Sequence, residues 1–131
     1  MGLDQYAYVR AQERKVKEAS GEEYTTVDCE HEFYWRKHWP LQEFMKRLWH
    51  DKGAGEDFNC QLMDLTEADL LMLQEAIGNG YADYFCKGSF FWDLQLEEEA
   101  VEAERENDTA FVTAALEAVR SGERVIYEPW W

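Results

Sequence analysis

The chain has 131 residues with 28 acidic against 13 basic side chains, a formal net charge of −15, and 15% of its residues are aromatic. Its length suits one ordinary domain able to bury a core without staples, and three scattered cysteines, Cys29, Cys60 and Cys86, read as reduced thiols rather than a secreted disulfide framework. The acid excess argues against direct nucleic-acid binding, and no run approaches the roughly 18 apolar residues of a membrane span.

Along the chain, Leu3–Arg10 alternates, with Leu3, Gln5, Ala7 and Val9 on one side and Asp4, Tyr6, Tyr8 and Arg10 on the other, predicting a strand with one wetter face. Residues 11–23 are polar without an apolar stripe and read as a loop or mobile excursion. Tyr24–Cys29 reads as a short strand. After Pro40, the residues Leu41, Phe44, Met45, Leu48 and Trp49 fall on one helical stripe, with Gly53 as the stop. Phe58–Leu65 alternates like a strand. Thr66 then caps a helix with Asp69 in the position of a capping box, and Gly78-Asn79-Gly80 ends it.

Tyr81–Leu96 is rich in rings and reads as an aromatic hairpin turning at Gly88-Ser89. In 97–108, six Glu, one Asp and one Arg predict a solvated helix or a disordered excursion. Asp108 or Thr109 is read as the cap of a last helix whose stripe is Val112, Leu116 and Val119, closed by Gly122. Arg124–Tyr127 is the expected last strand, halted by Pro129. The order predicts a single α+β domain over 1–131, a small, mostly antiparallel sheet packed against about three helices.

The charge is uneven. Residues 1–53 carry ten acids and nine bases, whereas 54–131 carry eighteen acids and four bases. The second part is read as a solubilising surface or as a decoy for a basic partner surface. The first 53 residues hold the one dense chemical cluster, Tyr34-Trp35-Arg36-Lys37-His38. It combines stacking rings, cations and a titratable imidazole, a set able to grip an anion or a planar ring. The plain alternative makes Tyr34 and Trp35 core anchors with Arg36 and Lys37 reaching water. Trp130 and Trp131 either fold back onto the domain or anchor a partner.

No metal or cofactor is expected: Cys29, His31, His38, His50 and Cys60 lack paired ligand spacing, and no Gly-rich phosphate loop follows a strand. The cysteines and histidines give no spacing that brings a nucleophile to a base, so a non-enzymatic role is expected.

The opening Met1-Gly2-Leu3-Asp4-Gln5-Tyr6, the middle Tyr34-Trp35-Arg36-Lys37-His38, then Phe58-Asn59-Cys60, Gly88-Ser89-Phe90-Phe91 and the final Trp130-Trp131 resemble, in that order, a family of small tailed-bacteriophage and prophage proteins. The chain departs from the family's Phe-Phe-Phe-Gly at Phe90-Phe91-Trp92-Asp93, and from its Ser-Ser-Trp-Trp ending at Glu128-Pro129-Trp130-Trp131. Pro40 also stands where that family commonly has a polar residue. The resemblance implies a phage or prophage origin. Together with size and acidity, it leads to the expectation of a cytoplasmic accessory protein that binds a host or phage macromolecule, a protein above all. The alternatives are a small-ligand or nucleotide-binding protein or enzyme using Tyr34–His38, and a minor virion component.

Overall fold

Alternation sets the first strand, and the pairing of its two ends sets the rest of the sheet. The computed structural model describes residues 2–53, 55, 57–79 and 98–131. Strand β1 (Asp4–Lys17) buries Gln5, Ala7, Val9 and Ala11 and turns Tyr6 and Tyr8 to its other face. β2 (Glu23–Asp28) pairs antiparallel with residues 12–17 of β1, and β3 (His31–Arg36) pairs antiparallel with residues 4–9. Gln12 faces Asp28 and Val9 faces His31, so one register runs through both halves. Residues 11–23, expected as a loop, therefore form the outer half of a long hairpin closed at Gly21, whose φ of 91° suits glycine.

After β3 come α1 (Trp39–Asp51), β4 (Met63–Asp64), α2 (Glu67–Gly78), α3 (Glu98–Arg120) and β5 (Arg124–Trp130). β5 lies antiparallel between β1 and β4, giving the order β2-β1-β5-β4 with β3 also on β1. The β1–β5 register shifts by one between Val9 and Ala11, and Arg10, at a φ of 59°, is the extra residue of this bulge.

Each helix follows local signals. Pro40 sits in the first turn of α1. Thr66 and Asp69 complete a reciprocal capping box at α2. Gly122, at a φ of 82°, ends α3 in a Schellman motif, with Gly122 N–H on Val119 O and Glu123 N–H on Ala118 O. All three helices bury their stripes against the inner face of the sheet. Leu41, Met45 and Leu48 of α1, Leu70 and Leu73 of α2, and Phe111, Val112 and Leu116 of α3 share one core with Val9, Trp35 and Tyr127. This is the expected α+β fold, with every strand pairing antiparallel among the described residues.

Three further expectations are corrected. Only Met63 and Asp64 of the segment 58–65 join the sheet; Asn59 and Cys60 turn, with Cys60 at a φ of 61°. Pro129 does not halt β5, which runs to Trp130. The Pro129 carbonyl accepts from Cys60 N–H, so this residue's backbone faces away from β1 and its missing N–H costs no bond to that strand. Finally, α3 begins at Glu98, not at Asp108 or Thr109, and takes in the acidic stretch as helix. The expected aromatic hairpin at Tyr81–Leu96 lies outside the described residues. Among the described residues no helix is long and apolar enough to cross a membrane.

Candidate functional site

Two arrangements of functional side chains occupy opposite faces of the sheet. On the inner face, alternation along β3 turns Trp35 into the core. Lys37, at a φ of 56° and with its N–H on Leu3 O, makes the tight turn that drops His38 at the N-cap of α1. The α3 stripe of Phe111, Val112, Ala115 and Leu116 continues one turn upstream to Asp108, so the helix buries a carboxylate beside both residues. Asp108 Oδ1 accepts from Trp35 Nε1 at 2.7 Å, and Asp108 Oδ2 lies 2.7 Å from His38 Nε2. His38 Nδ1 accepts from Leu41 N–H at a long 3.5 Å, which assigns the proton to Nε2 and makes Nε2 the donor to Asp108.

Gln5, a polar residue on the apolar side of β1, extends the network. Its Oε1 accepts from His38 N–H at 2.8 Å, and its Nε2 donates to His38 O and to Tyr127 Oη. Tyr127 Oη in turn donates to Gln42 Oε1 at 2.7 Å. Gln5, His38 and Asp108 are each no more than 1% exposed. Burial holds the Tyr127 phenol well above its ordinary pKa. Glu104, one turn before Asp108 on α3, reaches the rim of this cluster half-buried. Burial pushes its carboxyl up, His38 opposes that, and Asp108 adds to it. Ligand-capable atoms of His38, Glu104 and Asp108 all lie within 4.8 Å of one another.

On the outer face, the register lays out three rows across β3, β1 and β5: Arg36, Asp4, Trp130; Tyr34, Tyr6, Glu128; and Glu32, Tyr8, Ile126. The Tyr6 and Tyr34 ring centroids are 5.3 Å apart, and the Tyr6 and Tyr8 rings lie parallel at 6.4 Å. Carboxylates pin the outer hydroxyls: Tyr34 Oη donates to Asp4 and Tyr8 Oη to Glu128. Burial, then the Glu128 bond, raises the Tyr8 phenol; the Asp4 bond is the first cause of the rise at Tyr34. The Ile126 corner is buried, whereas Tyr34 is 48% and Trp130 50% exposed.

The expected Tyr34–His38 patch is thus divided. Trp35 and His38 enter the buried network, while Tyr34, Arg36 and Lys37 face solvent, so no one ligand meets all five side chains. Trp130 and Trp131 do not fold back into the core. Trp131 is 46% exposed, and its backbone is held by Asn59, whose Oδ1 accepts from Trp131 N–H and whose Nδ2 donates to Trp131 O. Sequence reading missed Gln5, Glu104 and Asp108 as partners of His38. Two signals were present: a glutamine on the apolar side of a strand, and two carboxylates spaced i, i+4 at the head of an apolar stripe. Comparison of the chain with family models, curated proteins and solved structures gives no match.

Proposed function

We propose that this chain is a small accessory protein of the tailed-phage type that works in the host cytoplasm, without covalent chemistry, by holding a basic protein surface on the outer face of its sheet. The observation that carries the reading is the pinned tyrosine row, Tyr34, Tyr6 and Tyr8, with half-exposed Trp130 beside it and Asp4, Glu32 and Glu128 around it. Rigid rings give contact area at little entropic cost, and Lys or Arg side chains stack on such rings while pairing with the carboxylates. A net charge of −15 steers a basic partner toward the chain and repels nucleic acid. The described His–Asp pair supports the non-enzymatic side of the reading, because its side chains are 0% and 1% exposed, closed to a substrate.

The test is capture from a bacterial lysate by the immobilised full chain. A basic protein should be retained at physiological salt and released as the screening length falls from about 8 Å to about 3 Å at 1 M. The double variant Tyr34→Ala/Trp130→Ala should lose the partner yet melt like the parent, since both side chains are half-exposed. Retention of no basic protein, or retention untouched by the double variant, overturns the proposal.

A further inference from the structure

The buried network has a chemical capacity that the outer-face reading does not use. His38, Glu104 and Asp108 come from two elements, the N-cap of α1 and two successive turns of α3, and converge on one point at the rim of the core. This is a mixed nitrogen and oxygen donor set, unlike the exposed acids further along α3. His38 and Asp108 are each 1% exposed, and Glu104 is half-buried. A structural ion site needs such enclosure. Asp108 is also oriented from outside the set: the Trp35 indole N–H holds its Oδ1 at 2.7 Å, leaving Oδ2 directed at His38. Metal-ligating carboxylates are commonly fixed by outer partners of this kind. Glu104, by contrast, receives no hydrogen bond from a described residue, so its carboxylate is available to a cation at this point.

We propose that His38 Nε2, Glu104 and Asp108 Oδ2 bind one divalent transition-metal ion, Zn²⁺ or Mn²⁺, which ties the start of α1 to α3. The distances fit with small movements. Metal bonds to nitrogen and oxygen of about 2.0–2.2 Å in tetrahedral geometry put two ligands about 3.3–3.6 Å apart, against the 4.8 Å limit within which the three groups lie here. The half-exposed Glu104 side chain closes the remainder. The His38–Asp108 separation of 2.7 Å opens by about 0.6–0.9 Å to admit the ion. As the ion takes the Nε2 lone pair, the imidazole proton moves to Nδ1, giving up the 3.5 Å contact with Leu41 N–H, the longest bond of the network. One imidazole with two carboxylates is a donor set for these ions rather than for a thiolate-seeking metal. The two carboxylates also neutralise the ion's charge inside the protein.

The experiment is calorimetric titration of the untagged, chelator-stripped full chain with Zn²⁺ and, separately, Mn²⁺, with melting temperature read in parallel. One equivalent of at least one ion should bind and raise the melting temperature. Glu104→Gln, which removes no hydrogen bond to a described residue and should leave the apo protein folded, should weaken binding about tenfold or more, the scale of a lost supporting contact at a metal site. Glu102→Gln, on the same helix but exposed and bonded to Arg105, should bind as the parent does. No uptake of either ion overturns the site. So does binding that Glu104→Gln leaves intact, or that Glu102→Gln weakens equally, since the ion would then sit on the exposed acids.

Discussion

Asp108 accepts from two buried donors, the Trp35 indole and the His38 imidazole, and at 1% exposure its side chain has almost no water to replace them. An asparagine there keeps the shape but turns an amide N–H toward one of those donors. Leaving a buried donor without an acceptor costs about 1–3 kcal/mol, and more where the acceptor is charged. Asp108→Asn is therefore expected to lower unfolding stability by about 2–3 kcal/mol, read from urea denaturation; an unchanged midpoint would show that the carboxylate is dispensable. Tyr127→Phe tests the other end of the network. It strips the acceptor from Gln5 Nε2 and the donor from Gln42 Oε1 while leaving the ring packed beside Phe58. The expected loss is about 1–2 kcal/mol. Because Gln5 joins His38 to Tyr127, the two substitutions share a network and should combine non-additively.

Among elements, those built on neighbouring residues were legible and those built on distant ones were not. Thr66 and Asp69 are three apart, so the cap of α2 can be read from the chain; Thr66→Ala should cost about 1 kcal/mol in thermal unfolding. The stripes after Pro40 and through Val112, Leu116 and Val119 are equally local, and so is the alternation of β1 up to Arg10. Past Ala11 no residue of the hairpin is fully buried on either face, so selection for a buried side leaves no alternation to read, and only cross-strand pairs such as Lys15 with Thr25 reveal it. Asp108 resembles an N-cap by residue type, and its burial depends on Trp35, 73 positions away. The Tyr34–His38 cluster was dense in chemistry, but strand alternation followed by a left-handed turn at Lys37 sends its members to opposite faces. That turn makes its own prediction. A left-handed lysine costs about 1–2 kcal/mol that glycine avoids, less about 0.5–1 kcal/mol of extra chain entropy. Lys37→Gly should then raise the melting temperature, whereas Lys37→Val should lower it.

Over the whole molecule, the fold uses its few cations as ties within and between elements. Arg120 reaches Glu67 across α2 and α3, Arg124 holds Glu13 and Asp64 across three strands, and Arg105 pairs with Glu102 within α3. Every described base of residues 54–131 is thus engaged, and the remaining acids repel one another in the compact state more than in the unfolded chain. Glu104 adds to this from the interior. Its folded pKa is raised above the ordinary 4.5, so its contribution is fully present below that value and is lost as pH rises through the folded value. Both effects have the same sign: moderate acidification from neutral pH should stabilise the protein. Salt should act on the first effect and hardly on the second, because exposed repulsion is screened and a half-buried carboxyl is screened much less. Melts of the metal-free chain should therefore rise as pH falls from 7.5 to about 5.5 at low salt. In high salt the rise should shrink without vanishing, and in Glu104→Gln at high salt it should nearly disappear. A melting temperature that falls over that interval at low salt would show that ion pairing, not repulsion, dominates the surface.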